Sequence, residues 1–334
     1  MHRYLHYGFV VLGIGLVAAI AWNTDLAEVG ARLVDLGWKG ALAVVAIYFL
    51  AFLADTAVWM AALTARRPSI RLLAQLWQVR VIGEAVNSAT PLGSVGGEPV
   101  KALLLRRYFG VSLRDGIASL VLAKTAILVG LTLFLAGGFA MMLTSDRLPD
   151  TMKLVAGLGL GAFALAIAAL VLVQWFRLAS RAATWVSGLR YGAGLKRSLD
   201  ALSDMDRQLS GFYRAHRGRL IPAVLLSIAN WLLGAAEVMV VMWFLGYPIT
   251  FADAVMVEAL TQLVRAGTFF IPMSLGAQEG ALMLALGSLT GAPAIGLAVA
   301  IVRRGRELLW ILLGLLLFWS FSPRAAHPDS PDRP

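Results

Sequence analysis

Two carboxylates stand inside long apolar stretches, and each follows a proline by seven residues: Glu98 after Pro91, and Glu279 after Pro272. An ionised side chain at hydrocarbon depth is costly, so it is paired, protonated or functional. As a matched pair, Glu98 and Glu279 are suited to hold a cationic headgroup or a coupling proton. The competing reading is that each caps the N-terminus of a half-helix, where an acidic side chain is favoured in any case. Their surroundings are the strings Pro91-Leu92-Gly93-Ser94-Val95-Gly96-Gly97-Glu98 and Pro272-Met273-Ser274-Leu275-Gly276-Ala277-Gln278-Glu279. Broken helices of this composition free backbone amides and aim half-helix ends at one place, which suits an anionic group such as phosphate. Gly93, Gly96, Gly97 and Gly276 let a headgroup come close to the backbone; equally, such residues permit tight helix packing. Positive charge comes from Lys101, Lys124, Arg265 and Arg303, with Arg304 and Arg306 nearby. Lys124 and Arg303 lie at similar depths of two apolar runs and are candidate phosphate grips. Arg304 and Arg306 have snorkelling or pairing with Glu307 as their alternative, and Lys101 has a reach to the interface. Asp55 and Glu237 are further intramembrane carboxylates. Glu84 and Arg265 occupy corresponding positions with opposite charge, which predicts an ion pair between the two motif-bearing regions.

These residues must be positioned by a duplicated membrane scaffold. The motif copies are offset by 181 (272 − 91), and the same offset relates Asp25 to Asp206, Gly30 to Gly211, Gly37 to Gly218 and Gly110 to Gly291. With 59% hydrophobic and 14% charged residues, the chain has too little polar surface for a soluble globule of its length. Apolar runs long enough to cross a bilayer lie at about Leu5–Trp22, Gly40–Leu63, Leu113–Leu143, Met152–Phe176, Leu220–Leu245 and Pro293–Phe321. The basic segments Ala65–Arg71 and Arg177–Arg219 alternate with neutral or acidic segments at Asn23–Gly37, Ser145–Asp150 and Gly246–Phe251. The positive-inside rule then puts the basic set, and both termini, in the cytoplasm. Each motif region, Leu72–Arg107 and Ala252–Thr290, starts and ends on one side by this count, so each is predicted to be a re-entrant helical hairpin with its broken tip shielded by protein. Three spans separate them, so the halves are inverted. The expected fold is an all-α polytopic membrane protein, an inverted repeat of about 3+3 transmembrane helices with two re-entrant hairpins. A single domain is expected over residues 1–321, with repeat A at about 5–143 and repeat B at about 152–321. Repeat B contains a basic cytoplasmic insertion at 177–219, of which Arg177 to about Leu202 reads as an interfacial amphipathic helix anchored by Trp175 and Trp185. Residues 322–334 read as a disordered tail.

Several chemistries are excluded. There is no cysteine, and the four histidines, His2, His6, His216 and His327, show no ligand spacing, so no metal site or other cofactor is expected. The net charge of +10 suits membrane topology and anionic headgroups better than nucleic acid. Gly157-Leu158-Gly159-Leu160-Gly161 lacks both the spacing and the preceding strand of a dinucleotide loop, so it reads as helix packing. The N-terminal apolar run reads as a retained first helix, since many spans follow it.

The string Pro91-x-Gly93-x-x-Gly96-Gly97-Glu98-Pro99-x-Lys101, followed by Arg106-Arg107-Tyr108-Phe109-Gly110-Val111-Ser112, resembles the flippase-like transmembrane domain of lysylphosphatidylglycerol synthases. So does Pro272-x-x-x-Gly276-x-x-Glu279 with Gly291 and Arg303. The resemblance covers about residues 5–320. It implies a lipid translocase domain whose paired hairpins enclose a headgroup site. In the two-domain synthases a separate soluble domain charges the lipid; no such segment is present here, so lysyl-lipid synthesis is not expected. The expected function is a bacterial inner-membrane flippase or transporter for a phospholipid, a polyprenyl-phosphate-type lipid or a hopanoid-related lipid, and not an enzyme. The alternative is a non-transporting scaffold for a lipid- or glycan-modifying enzyme. Expected partners are thus the lipid, such an enzyme and a second copy of the chain.

Overall fold

The structure is a computed structural model that describes residues 26–89, 96–176, 217–268, 274 and 276–320. The expected span Leu5–Trp22, most of the 177–219 insertion, the 322–334 tail and the tip residues Pro91, Gly93 and Pro272 lie outside the described residues. Among those described, the chain is all helical: α1 (Leu26–Ala62), α2 (Ile70–Ala89), α3 (Gly97–Phe109), α4 (Leu113–Leu143), α5 (Asp150–Phe176), α6 (Arg217–Phe244), α7 (Phe251–Gly267), α8 (Ala277–Thr290) and α9 (Pro293–Ser320).

Four helices are long and apolar enough to cross a membrane, over Val34–Ala62, Leu113–Leu143, Asp150–Trp175 and Gly218–Phe244. The predicted span Pro293–Phe321 is realised as a helix of 28 residues, but Arg303, Arg304, Arg306 and Glu307 interrupt its apolar character. Arg303 and Arg304 are buried, so their charges meet protein and not lipid. The stretch 23–37, expected as a connection between spans, is instead helical from Leu26, because its Leu, Ala, Glu, Val and Arg residues are good or tolerable helix formers. The break comes at Gly37, whose φ of 67° is accessible to a residue without Cβ.

Local signals set the ends of the shorter helices. Gly110 and Gly291 close α3 and α8 in the left-handed conformation. The Ser112 hydroxyl accepts from the Asp115 amide at the start of α4, and Thr250 forms a reciprocal capping box with Asp253 at the start of α7. Asp253 also pairs with Arg147 at 3.1 Å, which ties the α4–α5 connection to α7.

Helix starts repeat along the chain: α7 begins 181 residues after α2 (251 − 70), α8 begins 180 after α3 (277 − 97), and α9 begins 180 after α4 (293 − 113). Neighbours follow the same exchange. α4 packs on α7 as α9 packs on α2, α4 packs on α6 as α9 packs on α1, and α1 packs against α6 along their length. Small residues sit at these crossings: Gly138 faces Ala259 between α4 and α7, and Gly314 faces Ala85 between α9 and α2. The core divides accordingly. One cluster gathers around α2 and α3, with Trp59, Leu76, Ile82 and Leu105; the other gathers around α7 and α8, with Leu131, Met242, Leu282 and Leu286.

The α2–α3 pair is held at close range by glycine. A Cβ on Gly97 would run into the Gly83 carbonyl oxygen, and one on Gly83 would strike the Lys101 stem. Asn87 Oδ1 accepts from the Gly97 amide at 2.5 Å, satisfying a helix-start donor inside the bundle. Gly97→Ala is therefore expected to destabilise the protein by about 1–3 kcal/mol through overpacking. Gly161→Ala, where a Cβ meets nothing, is expected to be neutral or slightly stabilising. Thermal melts of both variants in detergent check this; equal melting temperatures would refute the close approach.

Candidate functional site

Charges in the interior fall into pairs that cross helix boundaries. The Arg80 guanidinium on α2 donates to the Asp55 carboxylate on α1. On α9, Arg306 donates to Glu237 of α6, and Arg303 donates to Glu258 of α7, with Arg303 Nε also 3.8 Å from Glu237. Glu237, Glu258 and Arg303 are each about 98% or more inaccessible, so every one of them needs its partner. Arg306 further lies over the Tyr48 ring at 3.9 Å, and Arg80 over Phe52 at 5.0 Å.

The two motif carboxylates are engaged separately. Glu98 Oε1 accepts from Lys101 Nζ at 2.9 Å, one turn along α3. Glu279 Oε2 accepts from the Gly276 amide at 2.7 Å, capping α8, while its other oxygen accepts from Arg304 Nε at 2.7 Å. Arg304 also donates to Glu307 at 2.9 Å. The capping geometry weighed for these residues is thus present at Glu279, and the two carboxylates make no contact with each other. The expected ion pair between Glu84 and Arg265 does not form either. Glu84 accepts from Asn87 Nδ2 at 3.3 Å and lies 3.8 Å from Lys101.

Between the two core clusters lies a cavity of about 460 Å³. Glu84, Glu98, Lys101, Lys124 and Arg265 stand on its wall, together with the paired groups Asp55, Arg80, Glu237, Glu258 and Arg306. Lys124 is 11 residues into α4 (124 − 113), which puts it roughly 17 Å along that helix and at mid-bundle depth. The Lys124 side chain is nevertheless accessible, because it opens onto the cavity. Lys124 and Arg265 make no ion pair or hydrogen bond with another described residue. Ser88 and Ser274, beside the two motif breaks, also reach the wall, and Ser274 takes φ 49°, a left-handed conformation unusual for a residue with a side chain. The Trp231 indole N–H lies on the wall with no acceptor among the described residues.

Of the charged candidates, then, Glu98, Lys101, Lys124 and Arg265 face the cavity, whereas Glu279 and Arg303 are held in pairs and do not line it. With the offset of 180 that relates α4 to α9, Arg304 and not Arg303 corresponds to Lys124. Gly96 and Gly97 begin α3 and Gly276 begins α8. Arg80 and Glu258 were not singled out from sequence; the available signal was an ionisable residue in a helix limb otherwise suited to burial. Among the described residues, no three His, Cys, Asp or Glu side chains gather as a metal ion requires.

One family model, described as the lysylphosphatidylglycerol synthase TM region, matches residues 7–315. No curated protein and no solved structure matches the chain.

The buried Arg303–Glu258 pair gives a direct test of the charge network. Arg303→Met strands Glu258 and is expected to cost about 3–5 kcal/mol. Adding Glu258→Gln, which keeps a partner in Gln262 at 2.7 Å, should recover most of that loss. A double-mutant cycle by thermal or denaturant unfolding measures it, and strictly additive losses would exclude the pairing.

Proposed function

We propose a function from one fixed premise: the chain belongs to the lysylphosphatidylglycerol synthase transmembrane-region family. It is a multi-pass membrane protein of the flippase-like type. In this reading it moves a phosphate-bearing lipid between leaflets, with the headgroup in the central cavity and the acyl or prenyl chains in the surrounding bilayer. It acts as a transporter in the bacterial inner membrane, with both termini in the cytoplasm, and performs no covalent chemistry. The two halves are an inverted repeat, and α2–α3 and α7–α8 are its re-entrant hairpins. In support, α3 with 13 residues and α8 with 14 extend only about 20 Å each, short of roughly 30 Å of hydrocarbon.

The observation that carries the reading is the pair of uncommitted cations. Every other charge on the cavity wall has an opposite charge within 4 Å, whereas Lys124 and Arg265 have none among the described residues. A cation held at membrane depth without a counter-ion is costly, so an anionic ligand that supplies one is stabilised. A phosphate gains charge-assisted hydrogen bonds from both, and the Trp231 N–H is a further donor. A cavity of about 460 Å³ falls within the range of about 300–1,000 Å³ typical of small-molecule sites. Turnover is driven by a lipid gradient or a coupled ion, since no ATP-binding motif occurs in the sequence.

Lys124→Gln and Arg265→Gln are each expected to slow lipid translocation in proteoliposomes by tenfold or more while leaving the melting temperature within a few degrees of wild type. Fluorescent-lipid protection from an external quencher reads the rate. Wild-type rates in both variants would remove the site. Absence of movement by any form of the protein would favour the non-transporting scaffold instead.

A further inference from the structure

At the end of the bundle where α1 and α3 stop and α2 and α4 start, the chain gathers charge of one sign. Across residues 63–71 and 103–114 it has six arginines, no lysine and no carboxylate. All six arginines are exposed, and none lines the central cavity. The following residue, Asp115, accepts from the Ser112 hydroxyl at 2.8 Å.

Two backbone carbonyls tie this end together. The Arg66 guanidinium donates to the Phe109 carbonyl at the end of α3, and Arg219 of α6 donates to the Leu63 carbonyl just past α1 at 3.5 Å. Each cation thus meets the negative end of a helix dipole. The α2–α3 pair is antiparallel, with Asn87 holding the Gly97 amide at the other end, so the Arg66 contact sets Arg67 and Arg71 at the same end as Arg106 and Arg107 in the last turn of α3. Those four guanidiniums make no ion pair or hydrogen bond with another described residue, although Arg107 lies 5.6 Å from the centre of the Tyr108 ring. Like charges grouped in this way repel one another and build a positive potential that a bound anion relieves. The 177–216 segment, with seven Lys or Arg against three Asp, carries charge of the same sign and offers no neutralising partner.

Two features select the kind of anion. The group is built from arginine alone, whose planar fork grips phosphate oxygens in pairs where a lysine is a point charge. Apolar side chains stand out beside it: Ile70, next to Arg71, is 82% exposed, and Leu103, one turn before Arg106 and Arg107, is 54% exposed. Positive charge flanked by exposed apolar groups, at the ends of the membrane-crossing helices α1 and α4, fits a lipid phosphate with its chains alongside better than a soluble anion.

We propose that this end of the bundle is a binding site for a lipid that carries two phosphates in one headgroup, a diphosphatidylglycerol drawn from the surrounding leaflet. Arg67 and Arg71 hold one phosphate and Arg106 and Arg107 the other, with Arg66 as the positioning residue that keeps the two arms together. Ile70 and Leu103 lie against the acyl chains. The site is separate from the cavity and stands whether or not the protein translocates lipid.

The test is native mass spectrometry of the full-length protein in detergent, with diphosphatidylglycerol and phosphatidylglycerol supplied at equal phosphate. Wild type should retain one diphosphatidylglycerol at least fivefold over phosphatidylglycerol. Arg106→Gln/Arg107→Gln and, on the other arm, Arg67→Gln/Arg71→Gln should each bring that ratio close to one, with lipid-free melting temperatures near wild type because all four side chains are exposed. Arg106→Lys/Arg107→Lys keeps the charge but not the fork, and should lose at least half of the preference. Lys124→Gln, in the cavity, should leave the ratio unchanged. Equal retention of the two lipids by wild type overturns the site, and so does a wild-type ratio in the lysine variant, which would reduce the effect to unspecific charge attraction. Loss of the ratio in Lys124→Gln with retention in both arginine-to-glutamine variants would move the lipid to the cavity and overturn it as well.

Discussion

The structure depends on one constraint: a charge at the depth of the hydrocarbon must find its counter-charge inside the protein. In water, an exposed ion pair contributes little, because both partners are already solvated. Here neither partner has that option, so each pair acts as a clamp between the helices that carry it. Asp55–Arg80 joins α1 to α2, Glu237–Arg306 joins α6 to α9, Glu258–Arg303 joins α7 to α9, and Glu279–Arg304 joins α8 to α9. α9 takes part in three of these, which explains how a helix with four ionisable residues in its middle remains in the bundle.

Shape follows from a second constraint, the closeness with which backbones must approach when apolar burial between helices is no longer distinguished from burial in lipid. Gly83 against Gly97, Gly138 against Ala259 and Gly314 against Ala85 let helices meet with almost nothing between them. Ser88 near the end of α2 and Ser274 shortly before α8 both reach the wall of one interior cavity. The cavity takes its wall from both halves, with Glu84, Glu98 and Lys124 from the first and Glu237, Glu258 and Arg265 from the second.

The halves are similar in scaffold and different in charge. Glu84 in the first stands where Arg265 stands in the second, and Lys124 on α4 corresponds to Arg304 on α9, yet Lys124 opens onto the cavity while Arg304 is held by Glu279 and Glu307. The charges around the cavity are thereby distributed unequally between the two halves.

The sequence alone determined the all-helical membrane class, the position of most helices, and the places where α2 and α7 stop, because hydrophobic length, proline, glycine and capping residues act over a few neighbouring positions. It also marked Glu98, Glu279, Lys101, Lys124, Arg265 and Arg303 as charges that required an explanation. What that explanation is depended on partners 25 to 69 residues away along the chain, such as Arg304 for Glu279 and Arg306 for Glu237, and no local pattern encodes such distances. For the same reason, Glu98 and Glu279, equivalent in the two motifs, came to different partners. Glu84 and Arg265, at matching positions with opposite charge, remained apart. Only tertiary packing decided which charges were consumed in holding the bundle and which, Lys124 and Arg265, were left facing the interior cavity, because a counter-ion's presence is a matter of position in three dimensions and not of residue type.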